Sequence, residues 1–208
     1  MLKTFKHILQ ALKFMRLPKK RRRVVFYSEG KSYWPLFKGL IDGILDQSNL
    51  NVCYITSSKH DPGIKYSHSH YDSFIIDDGY VRNWFFENMQ ADMLIMTMPD
   101  LNQYQVKRSK YPIHYIYIQH ALMSLHMVYR HGAFDFFDTV FCSGPHHVQE
   151  IRLLEEKYKL PQKKILEHGY ARLDSLINDK QPKKVNNSFK HALFAPSWGL
   201  NAAIELGL

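Results

Sequence analysis

The chain has 208 residues, is 45% hydrophobic and 14% aromatic, and carries 28 Lys and Arg against 19 Asp and Glu, a formal net charge of +9. The excess sits in residues 1–23, at Lys3, Lys6, Lys13, Arg16, Lys19, Lys20, Arg21, Arg22 and Arg23 with no acid among them, so residues 24–208 are neutral overall. These figures exclude global disorder and a uniformly basic, nucleic-acid-coating protein, and leave a core-forming body preceded by a cationic segment.

In that segment Leu2, Phe5, Ile8, Leu9, Leu12 and Met15 recur at helical spacing, while Lys3, Lys6, Gln10, Lys13 and Arg16 line another face. Pro18 stops the helix and the run Lys19 to Arg23 follows. An uninterrupted apolar stretch of the kind a signal peptide needs is missing, and no run approaches the ~18 apolar residues of a spanning helix. A basic amphipathic helix beside a polybasic cluster suits an anionic membrane surface, where apolar insertion and charge attraction act together. Packing of the helix on a partner or on the body, a solvated tail, and nucleic acid are the competing uses of such a segment. The reading adopted is a membrane-surface arm over residues 1–23, a peripheral location at the cytoplasmic face of the cell membrane, and no nucleic-acid partner.

Beyond the arm, β-rich runs alternate with amphipathic ones. Strands are expected at Val24–Ser28, Asn51–Ser57, Ser73–Asp77, Asp92–Met98, Ile113–Gln119, Thr139–Cys142 and Lys164–Glu167. Helices are expected near Tyr33–Leu45, Val81–Gln90, Pro145–Tyr158 and Arg172–Asn178, with an irregular stretch after Gln119. Alternation of this kind predicts an α/β fold, a Rossmann-like doubly wound and mainly parallel sheet with helices on both faces. Cys53 and Cys142 fall inside strand-like runs, as buried thiols of a reducing compartment do. The polar stretch Asp179–Ser188 marks a boundary, and His191–Ala195 reads as one more strand before Pro196-Ser197-Trp198-Gly199. The expected organisation is an arm over 1–23, a Rossmann-like domain over 24–179, a linker over 180–189, and over 190–208 the opening of a second domain whose remainder lies beyond the chain, since a strand and a helix alone cannot close a core.

Several segments invite chemistry. Gly30-Lys31-Ser32 follows a strand, but a phosphate-cradling loop needs a glycine where Val25 stands, so this reads as a turn into a helix. His68, His70 and Asp72 alternate in an extended segment without completing a metal set, and read as a polar loop. The strand Ile113–Gln119 delivers His120 to its carboxyl end, where doubly wound sheets place their ligands. An imidazole there can take a proton from an attacking hydroxyl, or be a histidine bonded structurally in its loop. His126 and Arg130 follow, and a guanidinium can face a phosphate or carboxylate. Ser143-Gly144-Pro145-His146-His147 has the make-up of a helix start, whose amides can meet an anion or simply form a strand-to-helix turn. Gly169-Tyr170-Ala171-Arg172-Leu173-Asp174 repeats that construction after the next strand, and Arg172 in a first turn points to an anionic partner.

Taken in order, Tyr117-Ile118-Gln119-His120, the stretch from Phe134-Asp135-Phe136-Phe137-Asp138 to Cys142-Ser143-Gly144-Pro145, Gly169 to Asp174, and His191 to Trp198 resemble motifs of the CDP-glycerol glycerophosphotransferase family of wall and capsule polymer enzymes. They cover roughly Ile113–Trp198, while residues 24–112 match only in their α/β pattern. Ala121-Leu122-Met123 stands where the family usually has Gly-Thr-Pro, and Ala171 where it has Pro. The resemblance implies the N-terminal half of a GT-B architecture, two Rossmann-like domains with the site between them. It implies transfer of glycerol phosphate or a related polyol phosphate from a CDP-glycerol-like donor to a hydroxyl of a lipid-linked polymer acceptor, with CMP released and the donor-binding domain beyond Leu208. His120 would be the general base, and His126, Arg130, Ser143, Gly144, His146, Arg172, Asp174 and Ser197 the candidate substrate-binding residues. No cofactor and no metal ligand is implied. Competing functions are a GT-B glycosyltransferase using a nucleotide sugar and a non-catalytic membrane-peripheral remnant.

Overall fold

Seven short runs become adjacent strands, and those in the middle of the sheet are covered on both faces. Val24–Ser28 (β1) and Val52–Thr56 (β2) are buried at every position, the pattern of strands inside a two-sided parallel sheet. A computed structural model describes residues 2–76, 79–104, 106–178, 188–190 and 192. The chain divides into two compact units, Met1–Ile177 and Asn178–Leu208. The strand expected at His191–Ala195 and the linker expected at 180–189 lie almost wholly outside the described residues, as does Ser197.

In chain order the first unit runs α1 (Leu2–Met15), β1, α2 (Trp34–Gln47), β2, β3 (Tyr71–Ile75), α3 (Tyr80–Asn88), β4 (Met93–Met96), β5 (His114–Ile118), α4 (Leu125–Val128), β6 (Thr139–Cys142), α5 (Pro145–Tyr158), β7 (Lys164–Glu167) and α6 (Ala171–Ile177). The seven strands form one sheet in the order β3-β2-β1-β4-β5-β6-β7, every pair parallel. This is a Rossmann-like, doubly wound α/β fold. β3 starts two residues before the expected strand, at Tyr71, because its register pairs Tyr71 with Val52 and so matches the buried run of β2. The irregular stretch after His120 contains a helical turn, α4, that no periodicity could reveal in four residues.

Alternation along the strands sends two apolar sets to opposite faces. Val25, Tyr27, Cys53, Leu94, Tyr115 and Tyr117 meet Phe85 and Phe86 of α3, Ile151 of α5, and Ala11 and Phe14 of α1. Val24, Phe26, Val52, Tyr54, Ile95 and Ile116 meet Phe37, Ile41 and Leu45 of α2. Both cysteines are free and buried, and burial pushes the Cys53 thiol up to about 12 and the Cys142 thiol up to about 11.

Residues 1–23 do not stand apart from this body as an arm. Ala11 and Phe14 are fully buried, and Phe14 packs edge-on against Phe74 and Phe85 at 5.5 and 5.1 Å. Full burial of one such side chain is worth about 2 kcal/mol. The arginines of the basic run also turn inward: Arg21 pairs with Asp72 at 2.8 Å, Arg22 donates to Gln90, and Arg23 pairs with Asp92 at 2.5 Å. The opposite face of α1 stays open, with Phe5 58%, Ile8 38% and Leu9 49% exposed.

One polar group organises the carboxyl ends of β1 and β2. Asp61, 2% exposed, accepts from Ser28 Oγ and Thr56 Oγ1 at 2.8 Å, from Tyr54 Oη at 3.0 Å and from the Gly63 amide at 2.9 Å. Asp61→Ala would take the acceptor from the Thr56 and Tyr54 hydroxyls and the Gly63 amide, while Ser28 Oγ keeps the Gly30 carbonyl at 2.9 Å, and should lower stability in urea unfolding by roughly 3–5 kcal/mol. A loss below about 1 kcal/mol would show that the network is not a structural hub.

Candidate functional site

Doubly wound sheets bind ligands beyond the carboxyl ends of the strands, where the winding reverses. Here the reversal lies between β1 and β4, from which the strand order runs outward to β3 and to β7. The segments leaving those carboxyl ends begin with Glu29 after β1, Thr97 after β4, His120 two residues past β5, Ser143 after β6 and His168 after β7.

His120 stands at the centre of a ring of tyrosines. Tyr33, carried on the segment from β1, meets its ring edge-on at 5.7 Å. Nδ1 lies 3.1 Å from Tyr117 Oη and Nε2 lies 3.5 Å from Tyr129 Oη. Tyr117 Oη donates to Tyr129 Oη at 3.3 Å, and Tyr170 Oη donates to the His120 carbonyl at 3.1 Å. Burial pulls the imidazole below the ordinary histidine value of 6.5, an effect partly offset by a hydrogen bond to the Thr97 backbone. The uncharged, proton-accepting form therefore dominates at neutral pH. Burial raises the hydroxyls of Tyr117 and Tyr129, so both keep their protons. The Gln119 carboxamide, 2% exposed, approaches Tyr129 while neither of its polar atoms reaches hydrogen-bond geometry.

Glu29, the first residue after β1, lies on the β1 side of these tyrosines. Its side chain opens to solvent, yet crowding by protein raises its carboxyl above the usual range, with Arg82 opposing the rise. The same carboxylate acts on Tyr33 and Tyr117. Neither Glu29 nor the tyrosines were picked out from sequence. The position of Glu29 immediately after the first strand was the available signal, whereas the partners of His120 come from three separate segments and leave no local pattern.

The remaining expected site residues divide into several groups. Ser143 and Gly144 reach the same edge of the sheet, but their amides are not all open: Ser143 donates its N–H to His147 Nδ1 at 3.3 Å, and Pro145 has none to offer. His146 Nε2 lies 3.2 Å from the Leu122 carbonyl, and His147 Nε2 lies 2.9 Å from that of Met123. These two rings, 3.9 Å apart, fasten the segment following His120 to the start of α5. His126 belongs to the same fastening, with Ser124 Oγ at 2.8 Å and Glu150 at 3.4 Å from its Nδ1. Arg130 lies over the Tyr104 ring at 5.0 Å. His126 and Arg130 border a cavity of about 130 Å³ between α4 and α5, which Tyr129 also lines. Arg172 and Asp174 are exposed on α6, and Asp174 is near enough to act on His168.

Gly30-Lys31-Ser32 turns through a short 3-10 helix into α2. His68 and His70 pair with each other, ring centroids 5.8 Å apart, while Asp72 faces Arg21. Among the described residues no group of three or more His, Cys, Asp or Glu is placed to hold a metal ion. The chain matches no known protein family, no curated protein and no solved structure.

Three histidines, His120, His147 and His168, are held below 6.5 by burial. A depressed folded-state value means that the unfolded chain binds more protons, so stability is fully present above 6.5 and is lost as pH falls through the folded values. For His147 the protonated ring would also have to give up the Ser143 N–H. The melting temperature should fall continuously between about pH 7 and about pH 5. A melting temperature that is flat over that window would contradict the buried, neutral state of these rings.

Proposed function

We propose that this domain is the acceptor-side half of a polyol-phosphate transferase, moving glycerol phosphate or a related polyol phosphate from a CDP-activated donor to a hydroxyl of a membrane-linked polymer. The observation that carries the reading is His120: a neutral imidazole at the carboxyl end of a central strand, beside the reversal point, with hydroxyl groups against both ring nitrogens. A hydroxyl of low acidity needs such a base as its oxygen attacks phosphorus. In the transfer the new oxygen–phosphorus bond forms as the bond to CMP breaks, and the hydroxyl proton passes to the imidazole. In this reading the donor is held by a second domain, as part of a longer enzyme. Glu29 carries an exposed carboxylate that acts on Tyr33 and Tyr117, which suits hydroxyls on the acceptor rather than a phosphate on this side.

The test is CMP release from CDP-glycerol by the full-length gene product with a lipid-linked acceptor. His120→Ala should lower the rate by about 10²–10⁴-fold, the usual worth of a positioned acid–base group. Undiminished turnover by that variant would remove His120 from the mechanism.

The open face of α1 supports a peripheral membrane location in the same proposal. Phe5, Ile8 and Leu9 project outward, flanked by exposed Lys6, Lys13 and Arg16, and this suits an anionic lipid surface. Because α1 also buries Phe14, point substitutions test the idea better than deletion of residues 1–23. Phe5→Ser with Leu9→Ser should weaken flotation with vesicles containing anionic lipid by about tenfold, with an unchanged melting temperature. Equal flotation of both proteins would sink the membrane assignment.

A further inference from the structure

The protons around His120 determine which of its nitrogens is the base. Tyr117 has a single hydroxyl proton, and its geometry toward Tyr129 Oη, 3.3 Å away, is that of the donor. The same Tyr117 oxygen lies 3.1 Å from His120 Nδ1. Assigning that proton to Tyr129 makes Tyr117 the acceptor there and puts the imidazole hydrogen on Nδ1. A neutral imidazole has one N–H, which leaves Nε2 with a free lone pair. The atom facing that lone pair is Tyr129 Oη at 3.5 Å, the outer limit of a hydrogen bond.

Burial enforces the arrangement. Tyr117 has no exposed surface, its ring is wedged against Phe134 and Phe137 at 4.8 and 5.3 Å, and its hydroxyl has no route to solvent. Tyr129 sits on the segment after α4, packed on Phe134 at 5.0 Å, and its hydroxyl also lies next to the Gln119 carboxamide. Of the two hydroxyls on the imidazole, one is part of the core and the other belongs to the wall of the crevice.

We propose that Tyr117 is a positioning residue that holds His120 in the form protonated at Nδ1, so that Nε2 is the proton acceptor, and that Tyr129 Oη stands where the attacking hydroxyl of a substrate docks. The inference rests on the reading of His120 as a base and adds to it the identity of the basic atom and of the hydroxyl that holds its place. When a substrate hydroxyl gives its proton to Nε2, the resulting imidazolium keeps its Nδ1–H on the Tyr117 oxygen, so no rearrangement of the core accompanies the transfer.

The experiment is nitrogen NMR of the ¹⁵N-histidine-labelled chain, held above the titration of His120 and requiring no substrate. Wild type should show a hydrogen on His120 Nδ1 and a bare Nε2. Tyr117→Phe should move the tautomer ratio toward Nε2–H by about fivefold, the weight of one neutral hydrogen bond. Tyr129→Phe should keep the wild-type tautomer and acylate at Nε2 with diethyl pyrocarbonate about threefold faster, as expected when one weak hydrogen bond is removed. A hydrogen on Nε2 in wild type overturns the inference whether or not either variant folds. So does an unchanged ratio in a folded Tyr117→Phe protein. These outcomes are separate from the transfer reaction: if His120→Ala retains full turnover the chemistry fails while the tautomer stands, and a hydrogen on Nε2 removes this inference without touching that result.

Discussion

The carboxyl group of Asp61 is the point from which the crevice is built. It is closed off from solvent and meets hydroxyls of both β1 and β2, through Ser28 and Thr56, and the Gly63 amide of its own loop. Parallel strands leave their carboxyl ends with unmatched backbone groups and side chains of differing lengths, and one acceptor shared between two strands sets them at a common height. Ser28 is the last residue of β1, so Glu29 and the turn that carries Tyr33 start from a fixed place. Tyr33 then reaches the imidazole of His120, which stands on the far side of β4. A carboxyl used in this way stabilises through geometry: its value lies in the number of donors it satisfies where no water can.

A second constraint acts on the other side of His120. The residues after it would be a long irregular connection if nothing held them, and irregular backbone needs outside partners for its carbonyls. His146 and His147 supply two, at Leu122 and Met123, and Glu150 takes the Leu125 amide at 2.5 Å. His126 looks like a site residue in sequence, yet it belongs to the same clamp by pairing with Glu150. The clamp places Tyr129, which completes the surroundings of His120. Residues that resemble ligand-binding groups thus do their work one step removed, by fixing the segment that faces the ligand crevice.

The fold was largely legible because its cause is local. Apolar runs at Val24, Val52, Leu94, Tyr115 and Val140, separated by amphipathic segments, leave a parallel sheet as the only arrangement that covers both faces. The site was legible only where one residue sits at a strand end, as His120 does. The tyrosines around it are ordinary core residues by composition, and only the packing turns Tyr117 into a partner of Nδ1. Asp61 is hidden for the same reason, since it falls between two expected strands and its enclosed carboxyl is a product of the folded chain. Helix α4 has too few residues to show any period.

The basic N-terminal segment shows how side-chain chemistry divides a charge cluster between two roles. In the run Lys19 to Arg23 the three arginines turn toward the body, onto Asp72, Gln90 and Asp92, while Lys19 and Lys20 are exposed. A planar guanidinium with several fixed donors suits a directed contact such as that of Arg21, whereas an ammonium on a flexible stem keeps its water and acts at a distance. The exposed pair of Arg23 with Asp92 adds little to stability, but the half-buried pair of Arg21 with Asp72 bridges the segment to β3. The charge left facing outward is therefore mostly lysine, together with Arg16, and it lies beside the one apolar face of α1 that the core does not use. Docking of the helix through Ala11 and Phe14 orients that face, so any surface that binds it meets the body in one defined orientation rather than on a loose tether.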